Sequence, residues 1–470
     1  MNVLLINISL RPKSKIKLFP VGLASIATAM HHAGIAFDLL DLDAHRPSEA
    51  EVEAAIAARP YDVVCMGCVV TGYRHVKHLC ALVKRLHPRA RIVVGNTVAS
   101  SISGHLLANT QADYLVISEG DETIVELLHA LRDGGDPAQV KGLRFLRDGK
   151  MLCTPDRPPI EDLDSLPWIK HDLFDIDLYI GNTRDQVDES IPIPRDEARM
   201  LYISTSRGCI AKCTFCYHAF KSKPYRVRSP KSIVAEIEHL VDVYGANLIA
   251  FSDDLTFFNK AQTRAFVEAV RQSSRKFYWE ANCRATLFDM DEDQGLIEDM
   301  VDAGCMRVGY SLESSSPEIL KAMNKNITPE AFTHQTRLFK KVGMPVFTSL
   351  VFGFPQETPE TIARTFDLCI ENRVYPSIGY LLPQPGSVMY DYARNHGFIP
   401  DEEEYLMNIG DRQDLYVNMT SMTNEEFQRH VLEGARRCNE ALGLGLEKTL
   451  IKTQYYRAKV TPSQSAAEVK

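Results

Sequence analysis

The chain has 470 residues, 45% of them hydrophobic, which is enough to bury two or three cores. A formal net charge of -8 and a pI near 6.0 speak against a nucleic-acid partner, and no apolar run reaches membrane-spanning length, so a soluble, cytoplasmic protein is expected. The eleven cysteines are odd in number and scattered, with no secretory signal ahead of them, which excludes a disulfide framework.

Residues 1–140 alternate short apolar strands with helices. Strands are predicted at Asn2–Asn7, Ala36–Asp41, Val63–Val69, Ile92–Val94 and Tyr114–Ile117, with helices at Gly22–Ala33, closed by Gly34, and at Glu49–Ala58. This order implies a parallel, doubly wound, Rossmann-like sheet, whose ligands sit beyond the carboxyl ends of the strands. Those ends carry Asn7–Pro12, Val70–Tyr73, Gly95–Thr97 and Ser118–Thr123.

Residues 141–195, with the Asp- and Pro-rich run Arg157–Pro167, read as an extended or turning connector, and Tyr179–Arg199 as a polar surface linker or lid. From 196 to 400 the alternation resumes. Strands are predicted at Met200–Ser204, Leu248–Asp253, Phe277–Asn282, Arg307–Glu313, Val346–Phe352 and Ser377–Leu382, with helices at Pro230–Tyr244, begun by Ser229, and at Lys260–Ser273. Six strands with intervening helices make a partial (β/α)6 barrel, with polar residues at the strand ends where barrel chemistry occurs. Residues 401–470 read as a small helical region: a capping box of Thr423 and Glu426 opens one helix, Leu444 to Gln454 forms another, and Tyr456–Lys470 is a polar, disordered tail.

Just after the first barrel strand come Cys209, Cys213 and Cys216, spaced Cys-x-x-x-Cys-x-x-Cys. Thiolates this close together can converge on one soft metal centre. A cubane cluster has four irons, so three protein ligands leave one iron open to a small molecule. That arrangement favours chemistry at the cluster over electron storage. A closed zinc site needs a fourth ligand, and His218 is badly spaced for it. Cys65 and Cys68 have redox-motif spacing, but they lie in the apolar run Val63–Val70 and read as buried strand, and the other cysteines as core.

The run Cys-x-x-x-Cys-x-Phe-Cys resembles the signature of the radical S-adenosylmethionine enzymes. The resemblance implies a [4Fe-4S] cluster on Cys209, Cys213 and Cys216, whose open iron is chelated by the amino and carboxylate groups of S-adenosylmethionine. Reduction, by a donor such as flavodoxin or ferredoxin, then yields a 5′-deoxyadenosyl radical. The resemblance further implies contacts to S-adenosylmethionine from Phe215, from Asp253 and Asp254 near the methionine amino group, and from Arg284 toward a carboxylate. Ser311 and Glu313 would take the ribose or the methionyl moiety, and backbone at Gly353 and Leu382 the adenine. Taken singly, each is equally a solvated carboxylate, a surface salt bridge or a turn.

The strand-end motifs of the first domain are similar, as a set, to the cobalamin-binding domain that precedes many radical S-adenosylmethionine domains. This implies cobalamin contacts from Pro12, Gly22, Leu23, Thr71, Gly72, Tyr73, Gly95, Asn96, Glu119 and Gly120, the glycines admitting the ring and Thr71 and Tyr73 meeting its polar edge. The alternative is a flavodoxin-like domain that binds nothing or another nucleotide. One departure stands out: Asp-x-His-x-x-Gly is missing after the first strand, where the chain reads Ile8–Pro12, and His45 belongs to a surface loop. The lower cobalt face is thus unassigned. With both cofactors, the resemblance implies methylation of an unactivated carbon or phosphinate centre in a small-molecule substrate, through the deoxyadenosyl radical and methylcobalamin. The alternatives are oxidative cyclisation or ring rearrangement without methyl transfer, and a non-enzymatic cofactor carrier. No residue pattern selects the substrate.

Overall fold

The computed structural model describes the chain apart from residues 13, 15, 185–190, 222, 411 and 444–470. The expected helix at Leu444–Gln454 and the tail Tyr456–Lys470 lie outside the described residues. The fold divides into two compact units. The first comprises Met1–Ile210, His218–Cys283 and Gly295–Val308, and the second Ala211–Tyr217, Arg284–Gln294 and the chain from Gly309 onward.

In the first unit, β1 (Val3–Asn7), β2 (Asp38–Asp41), β3 (Val63–Gly67), β4 (Arg91–Gly95) and β5 (Tyr114–Val116) form a parallel array in the spatial order β2-β1-β3-β4-β5. β1 is buried along its whole length, as its unbroken aliphatic run requires of a strand covered on both faces. The helix Val21–His32 buries Ala24, Ala27, Thr28 and Met30, and Gly34 follows it in the left-handed region at φ 70°. The helix Glu49–Ala57 is opened by a capping box of Ser48 and Glu51.

The connector departs from its expected extended form. β6 (Leu143–Arg147) and β7 (Lys150–Cys153) form an antiparallel hairpin that extends the same sheet beyond β5. Its turn is Asp148-Gly149, both at positive φ, a strong short-range hairpin signal. Tyr179 is also no surface residue. It lies in the helix Ile176–Thr183, is 1% exposed, and donates its phenol to Asp41 at 2.7 Å while packing edge-on to Phe19. Burial and Asp41 push that phenol well up, so it remains a donor.

A second sheet of the first unit has the order β13-β12-β11-β8, from β8 (Met200–Ile203), β11 (Leu248–Phe251), β12 (Tyr278–Asn282) and β13 (Cys305–Gly309), with β8, β11 and β12 parallel. Between β8 and β11, β9 (Ser206–Arg207) and β10 (Arg226–Val227) pair as a short antiparallel ladder. The helix Pro230–Tyr244 follows its Ser229 cap and ends at Gly245.

In the second unit, β14 (Phe347–Phe352) and β15 (Tyr375–Tyr380) form a parallel pair, and Glu313 bridges to Leu350. The helices Pro317–Ala322, Pro329–Lys341 and Pro359–Glu371 each begin with a Ser or Thr cap followed by proline. The six strands expected between 200 and 382 are therefore present in order, four in one sheet and two in the other. The capping box of Thr423 and Glu426 opens the helix Asn424–Leu442. Gly434 of that helix faces Phe366, whose Cδ2 would lie 2.0 Å from an added Cβ. Gly434→Ala is expected to destabilise the protein by about 1–3 kcal/mol through overpacking, read from denaturant unfolding. An unchanged midpoint would contradict this close approach.

Candidate site for a cluster and two cofactors

The cysteine loop departs from β8 and is anchored first by Asp253, two residues beyond β11. Thr205 and Ser206 donate their backbone N–H groups to Asp253 Oδ1 at 2.8 and 3.1 Å, and the Thr205 hydroxyl donates to Oδ2. Burial pushes the Asp253 carboxyl up to about 6, although these donors work in the other direction. This corrects the expected contact with a methionine amino group, because Asp253 serves the loop backbone instead. Asp254, by contrast, is well exposed, and its Oδ2 lies 3.1 Å from His218 Nδ1. His218 thus faces a carboxylate.

Cys209 follows Gly208, which sits at φ 91°, and is partly exposed. In the second unit, Cys213 is buried and Cys216 partly exposed. Their segment is stitched to residues 322–326. Thr214 N donates to Met323 O at 3.0 Å, Thr214 Oγ1 to Ala322 O at 2.9 Å, and Asn324 Nδ2 to Lys212 O at 3.0 Å. Phe215 packs edge-on to Phe354 at 6.3 Å. None of the eleven cysteines forms a disulfide. Cys65 and Cys68 are buried core residues whose thiols are pushed up to about 12 by desolvation, which removes them as a redox pair. Among the described residues, no three His, Cys, Asp or Glu side chains are arranged to hold a single metal ion. A cubane asks for something different, one thiolate per iron.

Glu313 is the most unusual residue near this segment. It adopts φ 63°, is 5% exposed, and gives Oε1 to Lys325 Nζ at 2.8 Å, while its buried Oε2 has no hydrogen-bond partner among the described residues. Strained backbone and an unsatisfied buried oxygen together mark a place prepared for a ligand. Burial works against the charge of Lys325, but Glu313 and neighbouring Cys213 outweigh it and hold the ammonium above its ordinary value. Sequence reading missed Lys325; its signal is the run Asn324-Lys325-Asn326, whose two asparagines adopt left-handed backbone. Arg284, expected to reach a carboxylate, is engaged with backbone close by. It donates to the carbonyls of Lys325 and Asn326, and so braces the segment that presents the lysine. Ser311 is half-buried, Gly353 turns at φ 116° against Phe427, and Leu382 is buried just after Leu381, whose N–H bonds to Phe352 O at 2.7 Å.

At the carboxyl edge of the first sheet, Pro12, Gly22 and Asn96 are exposed, and Leu23, Thr71, Gly95 and Gly120 are half-buried. Nothing lies within 4 Å of a Cβ added at Gly22. Four of the expected contacts are engaged within the protein. A Cβ at Gly72 would meet Cys68 Sγ at 2.1 Å and one at Gly120 would meet Ile26 at 2.9 Å, so both glycines serve internal packing. Tyr73 is fully buried against His105. Glu119 is 4% exposed and its carboxylate is taken by Arg207, Arg226 and the N–H of Ile160. The edge still offers ligand-facing features: Asn96 and Ser118 hold left-handed backbone, the buried Ser118 Oγ has no partner among the described residues, and Leu10, Leu18 and Val69 expose apolar side chains.

Residues 11–128 match the B12 binding domain, and residues 203–369 match the Radical SAM superfamily. The chain belongs to the cobalamin-dependent radical S-adenosylmethionine family. Within and around that family it is 29% identical over 283 residues to the uncharacterized methyltransferase PH0819 of Pyrococcus horikoshii, covering 60% of this chain and 58% of that one. It is 25% identical over 371 residues to the anaerobic magnesium-protoporphyrin IX monomethyl ester cyclase of Rubrivivax gelatinosus, covering 76% of this chain and 63% of that one. The chain thus spans less than two thirds of either relative's length. Its fold is similar to the radical S-adenosylmethionine methyltransferase TsrM of Kitasatospora setae, solved with cobalamin and a [4Fe-4S] cluster, with TM-score 0.65 and 21% identity, covering 85% of this chain and 75% of that one. The three closely spaced cysteines outside any disulfide, the unsatisfied oxygen of Glu313 and the edge around Gly22 and Ser118 suit the cofactors of this cobalamin-dependent family.

Glu357 lies beneath Gly353, accepting its N–H at 3.3 Å, and burial raises its carboxyl to about 7. A folded-state value above the unfolded one stabilises the fold at pH below about 4.5, and that contribution is lost as pH rises through about 7. The loss amounts to about 3 kcal/mol. Glu357→Gln is therefore expected to flatten the stability-against-pH curve between about pH 4.5 and 7 in denaturant unfolding. Equal slopes in variant and wild type would contradict it.

Proposed function

We propose that this protein is a cobalamin-dependent radical S-adenosylmethionine methyltransferase acting on an unactivated carbon, or a phosphinate centre, of a small molecule. The observation that carries the reading is the joining, in one chain, of a B12 binding domain at 11–128 and a Radical SAM domain at 203–369. PH0819 and TsrM, both named methyltransferases, support it. We take residues 1–140 as the cobalamin-binding domain, with β6–β7 completing its sheet, the connector of 141–195 then running from 154, 196–400 as the radical domain, and 401–470 as a helical region.

When bound, the cofactors supply a carbon radical and a transferable methyl group. The chain's own residues hold and shield them. Cys209, Cys213 and Cys216 offer the three thiolates. Glu313 directs its unpartnered oxygen, and Lys325 its charge, at the polar end of S-adenosylmethionine. The Gly353 and Leu382 backbone and Phe215 take the adenine side. Gly22, Leu23, Thr71, Gly95, Asn96 and Ser118 form the seat for cobalamin, with the apolar Leu10 and Val69 beside it. Hydrophobic cover of this kind keeps water from a reactive radical. A flavodoxin or ferredoxin supplies the electron, and a cytoplasmic setting keeps the thiols reduced.

In anaerobically reconstituted protein, S-adenosylmethionine carrying an isotopic methyl label is expected to yield 5′-deoxyadenosine and labelled product. Cys213→Ala should reduce both to background, together with the visible absorption of the cluster. Lys325→Met should raise the KM for S-adenosylmethionine by on the order of tenfold or more, as loss of a charge-assisted bond does. Deoxyadenosine without label in the product would favour the second reading, an oxidative cyclase, which the likeness to the Rubrivivax gelatinosus enzyme over 76% of this chain supports. Protein that takes up both cofactors yet makes no deoxyadenosine would indicate a carrier.

A further inference from the structure

The cysteine loop leaves at Arg207 in β9 and returns at Arg226 in β10, two residues that face one another across the ladder. Between Glu197 and Glu236 the chain contains eight lysines and arginines and no aspartate or glutamate. Arg207 and Arg226 therefore find no counter-charge within this stretch. Arg207 and Arg226 are both buried, and both reach the turn that follows β5. Arg207 grips Asp121 with a fork, Nη1 to Oδ2 at 2.8 Å and Nη2 to Oδ1 at 3.0 Å, and also reaches Glu119 Oε2 at 3.3 Å. Arg226 pairs with the other oxygen of Glu119. Ser25, on the helix Val21–His32, donates to Asp121 at 2.6 Å and accepts from Arg207 at 3.4 Å. Burial pushes the Asp121 carboxyl up, but the charge and bonds of Arg207, with Ser25, hold it below its ordinary value.

We propose that Arg207, Arg226, Glu119 and Asp121 are positioning residues that couple the turn after β5 in the cobalamin-binding domain to the stem of the cysteine loop. The inference rests on the cobalamin-dependent reading. A bidentate guanidinium–carboxylate pair fixes direction as well as distance. One such fork on β9, backed by a second arginine on β10, leaves the ladder little freedom to shear relative to the turn. Because the charges are buried, none can move without its partners. The same turn carries Ser118, with its left-handed backbone and unpartnered hydroxyl, so a ligand seated there acts on the group that holds the stem. The four residues act through the backbone that they hold.

The test uses the full chain reconstituted with cluster and cobalamin, comparing wild type with Arg207→Lys, Asp121→Asn, the double variant and the milder Ser25→Ala. Iron and cobalamin content, KM for S-adenosylmethionine, deoxyadenosine kcat, and the electron paramagnetic resonance of the reduced cluster with and without cobalamin are measured. In wild type, cobalamin is expected to alter the cluster signal. In Arg207→Lys, metal and cobalamin content and KM stay within about twofold, kcat falls about tenfold, and the response of the signal to cobalamin is lost. The double variant should be no worse than the poorer single one, since both remove one coupling. Should the Arg207 or Asp121 variants fail to fold, Ser25→Ala carries the same comparison with a fall of about threefold. Losses that multiply in the double variant, or a wild-type signal indifferent to cobalamin, would overturn the proposal. If wild type makes no deoxyadenosine, the enzymatic reading fails, while the response of the signal to cobalamin still decides the coupling.

Discussion

Two arginines in a stretch without any acidic residue of its own govern how this protein is assembled. Arg207 and Arg226 need buried counter-charges, and among the described residues Glu119 and Asp121, in the turn after β5, supply them. Removing one partner of such a group strands a charge away from water, at a cost of about 3–5 kcal/mol. The four charges sum to zero, so the group tolerates burial as a whole though not in part. The stem of the cysteine loop and the end of β5 are therefore bound in one electrostatic unit.

The cysteine loop is otherwise held by hydrogen bonds to its backbone. In the first unit, Asp253 collects the N–H groups of Thr205 and Ser206. In the second, carbonyls of Ala322 and Met323 accept from Thr214. Backbone held in this way carries Cys209, Cys213 and Cys216. Rigid support of this kind is what a site needs when its cofactors perform the difficult chemistry and the protein supplies position. Glu313 is the contrasting case, a residue at φ 63° with one buried oxygen left unmatched among the described residues.

Much of the fold was legible from pattern. Strands at β1, β3, β8, β11 and β14 coincide with apolar runs within two residues at their ends, and Ser229 and Thr423 cap the helices that they introduce. These signals are local, arising from periodicity and from the unsatisfied N–H groups of a helix start. The hairpin β6–β7 was missed although its Asp148-Gly149 turn was visible, because the neighbouring proline-rich run suggested a connector. Tyr179 was misplaced because its partners, Asp41 and Asn7, lie more than a hundred residues away.

The sequence by itself determined which chemistry is possible: three cysteines within eight residues, just after a strand, put three thiolates on one loop. Spacing along a covalent chain is sufficient for that conclusion. Only the tertiary structure decided which polar residues are available to a ligand. Glu119 and Asp253 looked like cofactor contacts, yet their carboxylates are taken by Arg207, 88 residues away, and by Thr205, 48 residues away. A buried charge must be satisfied by whatever the fold brings to it, and that partner cannot be read from its neighbours in the chain.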